Sequence, residues 1–151
     1  MRFGTKRINY GILVALELAM QPSQEPIQAR VIAKRQGMPL RVLEHVLTSL
    51  KRAGLIESTR GAHGGYRLRK SPAELSLAQI VEALDGPIVV PVTVSRSPSE
   101  TRRDSQQQVL LSTVWDRVRQ AEMDLLNRLT LMDLVSEFQT LHQRSSPMYH
   151  I

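Results

Sequence analysis

Arg41, Val42, Glu44, His45 and Thr48 fall on one side of a segment with helical periodicity, and they are side chains able to read the edges of base pairs. An arginine bonds guanine O6 and N7 together, a carboxylate accepts from cytosine N4, and an apolar side chain touches the thymine methyl. Lys51 and Arg52, further along the same segment, suit phosphates. Arg60 is followed by Gly61, His63, Gly64 and Gly65, which places one long cation on backbone with few Cβ atoms. Such a loop can enter a minor groove only about 6 Å wide, with His63 as a second donor. Lys6, Arg7, Arg30, Arg67 and Arg69 are further cations that could neutralise phosphates. Catalytic arrangements are missing. His45, His63, His142 and His150 are scattered, with no HExxH pair, no Gly-x-Ser-x-Gly elbow and no Walker loop. The run Gly61–Gly65 has neither the spacing nor the strand-to-helix context of a dinucleotide fingerprint. Cysteine is absent, which removes disulfides, thiolate nucleophiles, zinc fingers and cysteine-held clusters. No enzyme activity, cofactor or metal site is expected.

The charge balance fits an anionic partner. The 151 residues carry 20 Lys and Arg against 14 Asp and Glu, a net charge of +6. Residues 1–70 hold 13 basic against 4 acidic side chains and residues 71–151 hold 7 against 10, so the basic character belongs to one half. With 42% hydrophobic and 23% charged residues the chain has the composition of a folded protein, and its length allows one domain or a small domain with an appendage. The longest apolar stretch, Ile8 to Met20, is interrupted by Asn9 and Glu17 and falls short of the roughly 18 residues a membrane span needs. No cleavage site follows the basic Met1–Arg7 stretch, so a cytoplasmic protein without membrane association is expected.

These side chains need elements to hold them. Ile8, Ile12, Leu13, Ala15, Leu16 and Ala19 predict an amphipathic helix over 5–20 whose apolar face packs inward. A second helix is expected from Pro26, in its first turn, through Ile27, Val31 and Ile32 to Gly37. A third opens at Pro39, turns Leu40, Leu43, Val46, Leu47 and Leu50 inward, and closes at Gly54, so the pair forms a helix-turn-helix. Alternating residues in 55–59 and 66–70, around the glycine-rich loop, predict a two-stranded wing. Ser76 and Gln79 form a capping box for a fourth helix ending at Asp85-Gly86. Residues 87–105, with Pro87, Pro91 and Pro98 among many serines and threonines, are expected to link or loop. From 106 a long apolar stripe returns with Leu110, Leu111, Val114, Val118, Ala121, Leu125 and Leu129. Thr130 to Asp133 caps a short final helix reaching about 142, and 143–151 is expected to be a tail.

Several segments, in order, resemble the Rrf2 family of bacterial winged-helix regulators. They are Lys6-x-x-x-Tyr10-Gly11; Ile32-Ala33-x-Arg35-x-Gly37-x-Pro39; and Leu43-Glu44-x-x-Leu47-x-x-Leu50-x-x-Ala53-Gly54-Leu55-Ile56. They continue with Ser58-x-Arg60-Gly61-x-x-Gly64-Gly65-Tyr66-x-Leu68, then Leu77-x-x-Ile80-x-x-Ala83-Leu84 and Leu129-Thr130-Leu131-x-Asp133-Leu134. Many members of that family hold an iron–sulfur cluster on three cysteines between the fourth helix and a long dimerisation helix. Here the segment 87–105 has none, so the resemblance implies a cluster-free branch answering to a small molecule or a partner protein.

The expected architecture is mainly α with a small β-wing: a winged helix-turn-helix domain over 1–86, a linker over 87–105, and a dimerisation helix with a short final helix over 106–142. A homodimer through Leu111, Val114, Trp115, Val118, Ala121 and Leu125 would bind double-stranded DNA at a pseudo-palindromic operator. Two rival readings are an RNA-binding basic domain, disfavoured by only 4% aromatic residues for stacking unpaired bases, and a protein–protein adaptor that has lost DNA binding.

Overall fold

The computed structural model describes residues 5–86 and 102–145. Helix α1 (Lys6–Ala19) starts at Thr5, whose hydroxyl accepts from the Ile8 amide. It buries Ile8, Gly11, Val14, Ala15 and Leu18 along one side. Leu13, expected to face inward, is 38% exposed because it projects away from that row. A 3₁₀ turn at Pro22–Gln24 then leads toward α2 (Ala29–Gln36), which ends at Gly37 in the left-handed conformation (φ 61°, ψ 34°). After Met38 and Pro39, α3 (Leu40–Arg52) begins, so α2 and α3 form the helix-turn-helix. Helix α3 buries Leu43, Val46, Leu47 and Leu50. Leu40 does not join them: at the first turn, ahead of that stretch, it is 40% exposed.

The start of α2 differs from the expected one. Pro26 and Ile27 lie outside the helix because Ile27 is extended and exchanges two backbone hydrogen bonds with Tyr66, at 2.9 and 2.8 Å. Tyr66 belongs to β2 (Gly65–Leu68), antiparallel to β1 (Ile56–Thr59) with Ile56 opposite Leu68 and Thr59 opposite Gly65. The wing is therefore a two-stranded ribbon whose base carries a third, one-residue partner. Gly65 makes this possible: a Cβ there would sit 2.4 Å from the carbonyl carbon and oxygen of Ile27, and its φ of 146° disfavours other residues.

A second 3₁₀ turn (Pro72–Glu74) precedes α4 (Leu77–Asp85), where Ser76 and Gln79 form the predicted capping box. Helix α4 packs on α1 and α3, and Leu84 closes over Gly11 so tightly that a Cβ on that glycine would lie 2.1 Å from Leu84 Cδ1. Of the expected linker, residues 87–101 lie outside the described residues. Residues 102–105 already belong to α5 (Arg102–Arg128), since charged and amide side chains after the last proline extend a helix without showing an apolar period. Helix α6 (Leu131–Ser145) likewise runs past 142 to include 143–145, with the Ser145 hydroxyl donating to the Leu141 carbonyl; residues 146–151 lie outside the described residues.

The start of α6 is part of the same core as α1 and α3. The Leu131 amide donates to the Leu75 carbonyl at 2.8 Å, the Leu77 amide to the Leu129 carbonyl at 2.9 Å, and Leu131 is completely buried. Thr130 and Asp133 cap one another across the α5–α6 junction. Helix α5 is different. Leu126 and Leu129 touch the core, but Val109, Leu110, Leu111, Val114, Trp115, Val118 and Leu125 are between 41% and 66% exposed. Among the described residues no helix is long and apolar enough to cross a membrane. Replacing Gly65 by Ala forces Ile27 off Tyr66 and should cost more than about 2 kcal/mol, read as a lowered midpoint in urea. Gly61→Ala, at a position with open space but φ of 112°, should cost less.

Candidate nucleic-acid interface

Helix α3 divides its residues cleanly between two tasks. Leu43, Val46, Leu47 and Leu50 are fixed in the core, which leaves Arg41, Glu44, His45 and Thr48 exposed on the opposite face, with Val42 half-buried beside them. Rigidity comes from the buried side, so the exposed side chains are presented at fixed helical spacing. The Thr48 hydroxyl donates to the Glu44 carbonyl at 2.7 Å, so its donor is already used within the helix. Ser49 bridges helices: its hydroxyl donates to the His45 carbonyl and accepts from Arg7 Nη2 at 2.8 Å, holding the start of α1 against α3.

The region between those two helices is strongly polarised. Lys6, Arg7 and Tyr10 from α1 and Pro39, Val42, His45 and Val46 from α3 line a concavity of about 510 Å³ that contains no acidic side chain. Neither helix has an acid in its first turn, and Pro39 gives α3 no side-chain cap. The amides of α3's first turn therefore add positive potential where an anion would approach. Tyr10 was legible as a motif residue and its place in this wall was not. At the other end, Lys51 and Arg52 are exposed in the last turn, and Lys51 Nζ donates to the Ser58 hydroxyl on β1 at 2.6 Å, bracing helix against wing.

The five predicted wing residues split into two groups. Arg60, Gly61 and His63 are exposed at the tip. Gly64 is buried and shapes the turn: its amide donates to the Gly61 carbonyl at 3.0 Å, and a Cβ would lie 2.2 Å from the Thr59 carbonyl oxygen. Gly65 belongs to the base described above. Among the predicted phosphate ligands Arg30 is exposed on α2, whereas Arg67 lies opposite Glu57 and bonds it at 2.5 Å, so that cation already has a partner.

Sequence reading missed the network that orients α2. Glu17, inside the apolar row of α1 and only 8% exposed, accepts from Arg35 Nη1 at 2.7 Å and from Gln36 Nε2 at 2.9 Å. The signal was there: an acid on a buried helix face requires a donor set nearby, because an unpaired buried carboxylate is too costly. The Gln28 amide reaches the Ala62 carbonyl at 3.5 Å, a second link between the helix-turn-helix and the wing. The residues present do not fit a thiolate-held iron–sulfur cluster, since the chain has no cysteine. Among the described residues no three His, Asp or Glu converge on a point where a metal could sit.

Known proteins place this geometry. A family profile described as Rrf2, iron-dependent transcriptional regulator, matches residues 4–137. An rrf2-like HTH-type transcriptional regulator of Rhodobacter capsulatus is 34% identical over 137 residues, covering 87% of this chain and 91% of that one. The HTH-type transcriptional regulator CymR of Bacillus subtilis is 33% identical over 136 residues, covering 90% and 91%. The solved structure of B. subtilis CymR, a global cysteine regulator, aligns with a TM-score of 0.72 at 30% identity over 91% of this chain and 98% of its own. That of T. potens IscR aligns with a TM-score of 0.73 at 25% identity over 97% and 95%. The chain is thus a winged-helix member of the Rrf2 family, a transcriptional regulator rather than an enzyme.

Proposed function

We propose that this protein is a homodimeric regulator that binds double-stranded DNA sequence-specifically, working on genomic DNA in the cytoplasm without an iron–sulfur cluster. The observation that carries the reading is the split of α3: four core leucine and valine positions hold the helix while Arg41, Glu44, His45 and Thr48 stand exposed at major-groove spacing. Arg41 and Glu44 read bases, with Val42 and the Thr48 methyl against thymine. Arg60 enters the adjoining minor groove with Gly61 and His63 around it. Lys6, Arg7, Arg30, Lys51 and Arg52 hold phosphates. Arg67 contributes only if it leaves Glu57. The DNA-binding unit is residues 1–86, completed by the start of α6, with 87–101 connecting it to α5.

The exposed stripe on α5 supports the dimer. Leu111, Val114, Trp115, Val118, Ala121 and Leu125 face solvent in one chain, and a two-fold pair of such helices covers both stripes at once. A symmetric dimer presents two reading helices and calls for a pseudo-palindromic site. The missing thiols support the cluster-free state, and the family profile's iron dependence then describes other members.

Three measurements test this. Fluorescence anisotropy on operator variants should show Glu44→Ala and Arg41→Ala relaxing preference at particular positions, each costing on the order of 1–3 kcal/mol. Lys51→Ala and Lys6→Ala should weaken all sequences alike and flatten the log–log salt dependence by about one unit per lost contact. Unchanged affinity and preference in both Glu44→Ala and Arg60→Ala would sink the docking. Sedimentation should give a dimer at micromolar concentration that Val114→Glu converts to monomer; a stable wild-type monomer with and without DNA rejects the interface. Anoxically purified protein should carry no acid-labile sulfide, and stoichiometric iron with sulfide would refute the cluster-free state.

A further inference from the structure

A cleft of about 550 Å³ lies between the wing tip and the segment leading into α2, away from α3 and α5. Its size is in the range of small-molecule sites. One wall is Ala62, His63 and Gly64 of the wing; the other is Glu25, Gln28, Val31 and Arg35. Both signs of charge face it. Glu25 pairs with no cation among the described residues, and Arg35 is held from behind by Glu17 through Nη1, which leaves other donors of its five N–H groups for a ligand. Glu17 offsets the Arg35 charge, so a net anion gains little here, while a ligand carrying both an acceptor carboxylate and an ammonium can use the remaining Arg35 donors and the Glu25 carboxylate together.

Two further features belong to the same cleft. Val31 is 37% exposed, an apolar side chain on the helix-turn-helix that DNA reading leaves unused, and with Pro26 it offers an apolar patch between the charges. Across the cleft runs the long Gln28–Ala62 hydrogen bond, and the wing it touches carries Arg60.

We propose that this cleft binds an amino-acid-class zwitterion with an apolar side chain, its carboxylate on Arg35, its ammonium on Glu25 and its side chain on Val31. The ligand displaces the Gln28–Ala62 bond and so resets the wing that holds Arg60. The binding stands on the cleft alone, and its effect on DNA rests on the DNA-binding reading above.

Calorimetric titration of the full chain with L-leucine, L-methionine and alanyl-leucine, in the absence of DNA, tests the site. The zwitterions should bind with dissociation constants of roughly micromolar to low millimolar. N-acetyl-leucine, lacking the ammonium, and leucinamide, lacking the carboxylate, should each lose roughly tenfold or more. Tighter binding of alanyl-leucine than of leucine assigns the cleft to peptides, and the reverse to free amino acids. In Glu25→Gln, leucine should weaken and lose its advantage over N-acetyl-leucine. No heat with any zwitterion up to about 10 mM, or N-acetyl-leucine binding wild type as well as leucine, overturns the proposal. Saturating leucine should change operator affinity by about fivefold or more. Binding without such a change overturns the coupling to the wing, whereas failure to bind any operator with no ligand present counts against DNA binding instead.

Discussion

The close approach of Ile27 to Tyr66 is the constraint on which the presentation of both α3 and the wing depends. A two-stranded ribbon alone is marginal in water, because each strand has an unpaired edge and only one neighbour. Here the base of the ribbon gains two backbone hydrogen bonds from a single extended residue just ahead of α2, and the absence of a side chain at Gly65 lets the two chains come that close. The wing is thereby indexed to the helix-turn-helix at its root, while Lys51–Ser58 indexes it to the end of α3. With Glu17 fixing α2 to α1 through Arg35 and Gln36, α3 and the wing are tied to one frame. The tip, from Arg60 to His63, is tied to it by the long Gln28–Ala62 bond.

A second constraint concerns where the long helix is held. Helix α5 is tied down at its C-terminal end, where Leu129 and Leu131 exchange backbone bonds with the strand-like segment at Leu75 and Leu77, and where Thr130 and Asp133 close the turn. Toward its other end it touches little. Fully burying one leucine or valine is worth about 1.5–3 kcal/mol, so six such exposed side chains together with Trp115 on one helix represent a large driving force for association.

Much of this was readable from sequence, for identifiable reasons. The α2–α3 turn, the wing strands and the α4 cap followed from residues whose local preference and structural role coincide: Gly37 at a left-handed helix end, alternation around the glycine loop, Ser76 with Gln79. The misses share a cause. Ile27 has nothing local to keep it from continuing α2; its extended state comes from Tyr66, 39 positions away. Leu13 and Leu40 are apolar and helically spaced, yet which apolar residue faces the core depends on where neighbouring helices stop. The start of α5 is a run of charged and amide residues, so it offers no apolar period from which a helix could be read. For the interface, residue type made Arg41, Glu44 and Arg60 candidates, and only tertiary structure shows that Gly64 and Gly65 serve the wing's frame and not its tip.

Pairing also ranks the cations. An exposed ion pair contributes about 0–1 kcal/mol, so the Arg67–Glu57 contact is weak as a source of stability, but it still competes with phosphate for the same guanidinium. Glu57 brings its own negative charge to the ribbon, so moving Arg67 to DNA would leave that carboxylate near the phosphates without a counterion. Lys51 is in the opposite position: its partner is the neutral hydroxyl of Ser58, and exchanging it for a phosphate strands no charge. Arg7 resembles Lys51, being held by Ser49. Lys51 and Arg7, which the fold positions with hydroxyls, would therefore give up less on meeting an anion than Arg67, which it pairs with a carboxylate and which is better understood as part of the ribbon's cross-strand packing.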